Sequence, residues 1–218
     1  MSAAAPVTTL LLLRHGETDR NAEGRSQGRA DAPLNERGRA QAAAAGRALA
    51  ALGPTAIYSS DASRARDTAA AVAADCRLEV RVDPRLAELD HGELDGLTGA
   101  ELRSRHPELL ETWRGPDGPS MVLPGGESLE QAQRRMVAAA TAIGEAHPDQ
   151  HVVVVSHNLA LRTLLCEALG APLTAARRLR LELCSLAIVE LRADEPWAVV
   201  ALNRGCHLPA ALAYPHAR

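Results

Sequence analysis

Lysine and phenylalanine are both absent from this 218-residue sequence, so the 24 residues counted as lysine or arginine are all arginines. Without lysine, the chain cannot form the Schiff base through which one group of enzymes acts on carbonyl substrates. The sequence also contains no G-x-x-x-x-G-K-[ST] loop, which argues against nucleotide hydrolysis of the kind that uses this loop. A side-chain cation that contacts an anionic ligand in this protein must therefore be an arginine or a histidine.

Long apolar runs are missing as well, since none reaches the ~18 residues that a membrane-spanning helix needs. The amino-terminal stretch MSAAAPVTT lacks the basic region and apolar stretch of a secretory leader. A net charge of -3 and a pI of about 6.2 give no sign of a nucleic-acid partner or of a membrane surface as partner. We therefore expect a cytoplasmic protein.

Cysteine is scarce, and the four cysteines lie far apart with no C-x-x-C pair among them. This spacing does not fit a disulfide framework. We instead predict buried thiols in a reducing compartment, at Cys76, Cys166, Cys184 and Cys206.

The sequence does contain an alternation of apolar strands and helical segments. It predicts an α/β fold, a three-layer sandwich with a mostly parallel central sheet flanked by helices. We treat residues 1–218 as one domain, with an insertion over one edge of the sheet at about residues 86–126. The predicted strands are 8–13, 56–60, 78–82, 151–157, 184–191 and 197–202; the predicted helices are 35–53, 62–74 and 159–170, with further helix starts at the capping boxes of Thr98 and Ser128.

Polar side chains follow three of these strands, at the edge where open α/β sheets bind ligands. Arg14 and His15 follow the first strand, Arg64 comes shortly after the second, and His157 follows the strand that begins at His151. Arginine presents a planar fork of donors to phosphate oxygens, and histidine can carry a proton or act as a nucleophile. The cluster therefore indicates transfer of a phosphoryl group onto histidine. Ser60 and Asp61 we expect to cap the helix that carries Arg64.

Five ordered sequence blocks resemble the histidine phosphatase superfamily, in its phosphoglycerate mutase-like branch and the small bacterial phosphatase type. The first block is LLLRHGETDRN, together with RSQGRADAPLNERGRAQA. The others are IYSSDASRARDTA, LAELDHGELDGLT, PGGES and VVVVSHNLALR. The resemblance extends over most of the chain.

The resemblance implies a role for each matching position. His15 would be the nucleophile that becomes phosphohistidine, and Glu88 would be the general acid and base. Arg14, Arg64 and His157 would hold the phosphoryl oxygens. Further candidates for substrate binding are Asn21, Gln27, Gly28 and Asn158. The resemblance implies no metal and no cofactor, and a small phosphorylated metabolite as the substrate.

Three residues depart from the family pattern. His91 stands where the family often has an aromatic residue, Leu94 where it often has tryptophan, and Asn158 where glycine is common. The first two lie close to Glu88 in the sequence, so we expect a substrate pocket that is less aromatic than usual.

Several alternatives stay open at this point. A cofactor-dependent phosphoglycerate mutase is the nearest one, and a phosphate-binding relative without catalysis is another. A metal hydrolase would need ligand spacings such as H-x-x-x-H, which the sequence lacks. The physiological substrate and a possible homodimer also stay open.

Overall fold

The computed structural model describes residues 5–193 and 195–213. Within these residues, six strands form one sheet in the spatial order β3-β2-β4-β1-β5-β6. The strands are β1 (Val7–Arg14), β2 (Ala56–Ser59), β3 (Val80–Val82), β4 (His151–Ser156), β5 (Leu186–Arg192) and β6 (Ala198–Arg204). Each corresponds to a predicted strand, although β3 is shorter than the predicted segment 78–82.

The sheet is mixed, with a parallel part and an antiparallel edge. Strand β1 pairs in parallel with β4, and β2 pairs in parallel with β3 and β4. Strand β5 runs antiparallel to both β1 and β6. The predicted fold class, an α/β sandwich with a mostly parallel central sheet, is therefore confirmed. The four parallel strands direct their carboxyl ends to one edge, where ligands bind in sheets of this kind.

Helices cover both faces of the sheet. They are α1 (Asp19–Ala22), α2 (Glu36–Ala50), α3 (Ser63–Cys76), α4 (Gly99–Arg105), α5 (Pro107–Arg114), α6 (Leu129–Ala146) and α7 (Asn158–Ala168). The predicted capping boxes are confirmed at Thr98, which begins α4, and at Ser128, which begins α6. Asn35 caps α2 by accepting a hydrogen bond from the backbone N–H of Gly38. Helices α1 and α5 were not predicted from the sequence.

Strand β1 is buried on both faces, as its run of leucines predicts. Leu10 and Leu12 belong to the apolar cluster formed with α6 and α7. Leu11 and Leu13 belong to the opposite cluster, formed with α2 and α3. Because successive side chains of a strand point to opposite faces, the four leucines hold β1 rigidly between the two helical layers. The residues that follow β1 thus have a fixed starting position.

The segment 86–126 follows a short 3-10 turn at Pro84–Leu86 and contains a second one at Gly92–Leu94, together with α4 and α5. It packs around its own apolar cluster, which includes Leu89, Leu94, Leu123 and Leu129. This cluster is separate from the two clusters on the faces of the sheet. Across residues 5–193 and 195–213, no helix combines the length and the apolar character needed to cross a membrane.

All four cysteines lie in the described residues and are free thiols. Cys166 and Cys184 are buried, and burial raises the pKa of Cys184 to about 12. Cys76 is half-buried, and Cys206 is exposed. The prediction of buried thiols is therefore wrong for Cys206, which follows the edge strand β6 at the surface.

Candidate active site

The register of the central strands brings the predicted residues to one edge of the sheet. Arg14 at the end of β1 lies opposite Ser156 at the end of β4, and Ser59 at the end of β2 lies opposite Val155. The chain then continues directly into His15, Ser60 and His157. The ring centroids of His15 and His157 are 5.1 Å apart.

His15 has its two ring nitrogens in different environments. Its Nδ1 lies 2.7 Å from the carbonyl oxygen of Gly16. Because a carbonyl oxygen can only accept, Nδ1 must carry the proton, and Nε2 keeps its lone pair. Gly16 itself packs so closely on α2 that a Cβ atom there would lie 2.6 Å from the carbonyl oxygen of Gly38. The turn after β1 thus requires glycine at this position.

The surroundings of His15 favour its neutral form. Its side chain is buried, and burial lowers its pKa well below the usual 6.5. The positive charges of Arg64 and Arg14 lower this pKa further. A buried neutral imidazole with a free lone pair can act as a nucleophile.

Arg64 is fully buried at the start of α3. Its Nε donates to Nδ1 of His157 at 3.2 Å, its Nη2 to the carbonyl oxygen of Gly28 at 2.9 Å, and its Nη1 to that of Ala30 at 3.2 Å. Nη1 also lies 3.9 Å from a carboxylate oxygen of Asp31. The three hydrogen bonds use three of the five N–H groups of a guanidinium, which leaves two for an anionic ligand.

His157 is held by two neighbours in the resting structure. Since Arg64 can only donate, Nδ1 of His157 accepts, and the proton of the neutral ring is on Nε2. That Nε2 donates to Oγ of Ser60 at 2.8 Å. Burial lowers the pKa of His157 well below 6.5, and the charge of Arg64 adds to this effect.

The prediction that Ser60 and Asp61 cap α3 with their side chains is wrong. Helix α3 begins after Ala62, whose side chain makes no capping hydrogen bond, and the N–H of Ser63 in its first turn donates to Oδ1 of Asp31 at 2.9 Å. The Ser60 hydroxyl is instead directed toward His157, because the parallel pairing of β2 with β4 places the two strand ends side by side.

Glu88 contacts the first turn of α7. Its carboxylate accepts hydrogen bonds from the backbone N–H groups of Leu89 at 2.8 Å, Leu159 at 3.1 Å and Ala160 at 2.9 Å. The amino terminus of a helix presents unpaired N–H groups and a partial positive charge, so it orients a carboxylate well. Glu88 is therefore fixed close to His157, which directly precedes α7.

Arg135 of α6 holds the backbone on which Glu88 lies. It donates to the carbonyl oxygens of Arg85 at 2.8 Å, Ala87 at 2.5 Å and Glu88 at 3.0 Å. It also forms two parallel hydrogen bonds of 2.8 Å to the carboxylate of Glu127. All five N–H donors of this guanidinium are thus used, which ties α6 to the segment that carries Glu88.

The four residues predicted to bind substrate lie in two places. Asn21 caps α1 in a capping box with Thr18, and Gln27 accepts a hydrogen bond from the Thr18 hydroxyl while its buried Nε2 has no partner among the described residues. Gly28 contributes its carbonyl oxygen to Arg64. Asn158 is the first residue of α7, with a buried and unpartnered Oδ1 and no left-handed backbone. A role of these residues in substrate binding stays a prediction.

Metal ligands are not assembled in this region. Within residues 5–193 and 195–213, no group of three or more histidine, cysteine, aspartate or glutamate residues has an arrangement that could hold a metal ion. Positive charge instead comes from Arg14 and Arg64, both of which act on His15. The site thus combines a neutral imidazole, a buried and a half-buried guanidinium, and an oriented carboxylate.

Comparison with known protein families identifies the family to which this chain belongs. The model of the histidine phosphatase superfamily (branch 1) matches residues 10–205. The chain belongs to this superfamily. The match begins inside β1 and ends after β6, so it includes all of the site residues described above. The resemblance predicted from the five sequence blocks is confirmed.

Individual members of the superfamily are similar over nearly the whole chain. The probable phosphoglycerate mutase GpmB of Cronobacter sakazakii is 40% identical over 196 residues, which cover 85% of this chain and 86% of that protein. A mycobacterial glucosyl-3-phosphoglycerate phosphatase in complex with VO3 is 32% identical with a TM-score of 0.83, over 90% of this chain and 99% of that one. Bacillus stearothermophilus YhfR is 32% identical with a TM-score of 0.84, over 92% and 98%. The structural neighbours thus include a phosphatase.

Some residues that shape the site of this superfamily member were missed from the sequence. Asp95 accepts hydrogen bonds from the backbone N–H groups of Gly28 at 3.2 Å and Ala30 at 2.8 Å, and these two residues in turn hold Arg64. The contact of Ser60 with His157 and the role of Arg135 were also missed. For Arg135 the sequence indicated only its helix, which begins at the predicted capping box of Ser128, and not its contact with Glu88.

The two buried histidines should make the protein less stable in acid. Below about pH 6.5 the unfolded chain binds a proton at each histidine, whereas the folded protein resists protonation because both pKa values are lowered. The free energy of unfolding should therefore fall as the pH is lowered from 7 to 5, by up to about 1.4 kcal/mol per pH unit for each histidine. His15→Asn should reduce this slope in urea unfolding measured at each pH. An equal reduction in His151→Asn, which removes an exposed imidazole, would contradict the assignment.

Loss of Arg135 should destabilise the fold. Arg135→Met leaves the largely buried carboxylate of Glu127 without its cation and three backbone carbonyls without a donor, so we expect a loss of about 3 kcal/mol in urea unfolding. Arg134→Met, at the exposed neighbouring position, is the matched control and should change stability by less than about 0.5 kcal/mol. Similar losses in the two variants would mean that the contacts of Arg135 are not important for stability.

Proposed function

We propose that this protein is a phosphomonoesterase that acts through a phosphohistidine at His15. The observation that carries the proposal is the state of that imidazole. Its Nδ1–H is bound to the carbonyl oxygen of Gly16, so Nε2 keeps a lone pair near the positive charges of Arg64 and Arg14. Membership of the histidine phosphatase superfamily supports the same reaction.

In the first step, Nε2 of His15 attacks the phosphorus atom, and the bond from phosphorus to the ester oxygen breaks. Glu88 in its acid form gives its proton to the leaving oxygen, which a neutral alcohol product requires. Such proton donation contributes about 10²–10⁴-fold in rate. The negative charge on the transferring oxygens is stabilised by Arg14, Arg64 and His157.

In the second step, water attacks the phosphohistidine. The Glu88 carboxylate now accepts a proton from this water, the bond from phosphorus to Nε2 breaks, and inorganic phosphate leaves. His15 returns to its neutral state and Glu88 to its acid form, so the cycle is balanced without a metal or a cofactor. We propose a small phosphorylated metabolite as the substrate and the cytoplasm as the location, which the four free thiols support.

Phosphoglycerate mutase is the second candidate, favoured by the 40% identity with the relative named probable phosphoglycerate mutase. A mutase must hold a second anionic group while the phosphoenzyme is protected from water. Each arginine of the loop after His15 lies near a carboxylate, although Arg29 also lines the cavity that contains Arg64 and Glu88. Arg20 is 3.4 Å from Asp95, Arg25 is 2.9 Å from Glu23, and Arg29 is 4.0 Å from Asp61. We therefore favour hydrolysis.

Variants of the nucleophile and the acid test the proposed hydrolysis. His15→Ala should abolish turnover and acid-labile labelling of the protein by phosphate together, with excess EDTA present in all assays. Glu88→Gln should lower kcat for an alkyl phosphate by about 10²-fold or more, but have a much smaller effect with p-nitrophenyl phosphate, whose leaving group needs little protonation. Equal losses on both substrates would exclude Glu88 as the acid, and activity that EDTA removes would point to a metal enzyme.

Product partition separates hydrolysis from isomerisation. With 3-phosphoglycerate as substrate and 2,3-bisphosphoglycerate present, inorganic phosphate should accumulate at least as fast as 2-phosphoglycerate, because water is the main acceptor. Both products are measured in one time course by phosphorus NMR. Isomerisation that is tenfold faster than phosphate release, equivalent to about 1.4 kcal/mol in barrier height, would establish the mutase instead.

A further inference from the structure

An apolar cavity of about 150 Å³ lies in the segment 86–126, beside the site but apart from the residues assigned to the phosphoryl group. Its lining is almost entirely leucine, with one tryptophan, one histidine and one serine. The lining residues are Ser26, Leu89, His91, Leu94, Leu102, Leu109, Leu110, Trp113, Leu123 and Leu159. An apolar cavity of this size is large enough for a group such as a benzene ring.

The two helices over this cavity, α4 and α5, are packed less tightly than the other long helices of the fold. Neither α4 nor α5 has a fully buried residue. Leu109, Leu110 and Trp113 of α5 point to one side of the helix, as residues one turn apart do, yet all three stay half-buried. Apolar side chains normally close on one another in a core. Here they surround empty space.

The cavity adjoins the proposed general acid. Leu89 and Leu159, which form part of its wall, are the residues whose backbone N–H groups bind the Glu88 carboxylate at 2.8 and 3.1 Å. The cavity thus begins one residue away from the group that would protonate the leaving oxygen. The part of a substrate that would lie nearest to this cavity is therefore its leaving group, which would be bound at Glu88.

His91 connects the cavity to the phosphate side. The backbone of Gly28 packs against His91 so closely that a Cβ at Gly28 would lie 2.7 Å from its backbone nitrogen. The carbonyl oxygen of the same glycine holds Arg64. The Nδ1 atom of His91 is buried and has no hydrogen-bond partner in the described part of the chain.

We propose that this cavity receives the apolar part of the leaving group, so that the preferred substrates are phosphomonoesters of alcohols with a compact apolar group. This inference rests on the proposed phosphatase function and adds the substrate class. The phosphoryl group would lie between His15 and Arg64, with the ester oxygen toward Glu88. The apolar group would then extend past Leu89 and Leu159 beneath α5.

Two substrates with primary alcohol leaving groups test the proposal. Benzyl phosphate carries a ring that matches the cavity, and glycerol 1-phosphate carries hydroxyl groups that would lose their hydration there. The value of kcat/KM should be at least about tenfold higher for benzyl phosphate. Calorimetry with benzylphosphonate and methylphosphonate, which cannot be hydrolysed, should show the same order of affinity.

Filling the cavity should remove the preference. Leu110→Trp should lower kcat/KM for benzyl phosphate by about tenfold and leave that for glycerol 1-phosphate within about twofold. Leu102→Trp fills the cavity from α4 and serves as a second variant if the first does not fold. Leu52→Trp, at a leucine that is 40% exposed and far from the cavity, is the matched control and should keep the preference.

The outcomes separate the two proposals. Equal kcat/KM for both substrates, or folded cavity variants that keep the wild-type ratio, would overturn the substrate class while hydrolysis that depends on His15 still stands. Absence of such hydrolysis would overturn the proposed function instead. In that case calorimetry with the two phosphonates still tests whether the cavity binds an apolar group. Equal affinities for benzylphosphonate and methylphosphonate would show that it does not.

Discussion

The buried guanidinium of Arg64 is the interaction on which the site depends. A charge that is removed from water must find strong partners, and here it finds two backbone carbonyls and the Nδ1 atom of His157. Within residues 5–193 and 195–213, the nearest carboxylate oxygen recorded is that of Asp31, at 3.9 Å. The cation is therefore solvated by dipoles but not directly neutralised. This leaves a strong attraction for a ligand that brings its own negative charge.

The hydrogen bonds of Arg64 also fix the positions of the neighbouring loops. Gly28 and Ala30 can accept from Arg64 because Asp95 fixes their backbone from the other side. His157 must present a lone pair to Arg64, so its proton is on the opposite nitrogen, where Ser60 accepts it. A phosphoryl oxygen that binds His157 has to share or replace the contact with Ser60. The hydroxyl thus keeps the ring oriented until a ligand arrives.

The sheet and the residues at its edge could be predicted because their signals are local. The four leucines of β1 and the valines of β4 identify buried strands, and His15 and His157 follow these strands directly. The contact of Arg135 with Glu88 could not be found in this way, since it joins residues 47 positions apart and depends on how α6 packs. The side-chain cap predicted for α3 failed because Asp31, from a distant loop, accepts from the first N–H of the helix, while Ser60 contacts His157 across the sheet.

Helix α5 is a different case, because the sequence did contain a helical pattern there that was not used in the prediction. Proline at position 107 suits the first turn of a helix, and Leu109, Leu110 and Trp113 have helical spacing. The charged residues between them made the segment look like a loop. The empty space beneath the helix has no counterpart in the sequence, because cavities arise from imperfect packing among distant residues. The composition of segment 86–126 therefore identifies the insertion but not its hollow interior.

The attachment of Glu88 to α7 has a consequence for motion in the site. His157 precedes α7, and the Glu88 carboxylate is bonded to the N–H groups of Leu159 and Ala160 within its first turn. Arg135 of α6 holds the backbone of Glu88 as well, and Arg64 of α3 holds the ring of His157. The relative position of the imidazole and the carboxylate therefore depends on the packing of three helices. A substitution that shifts any one of these helices would change the width of the gap that a phosphoryl group has to cross.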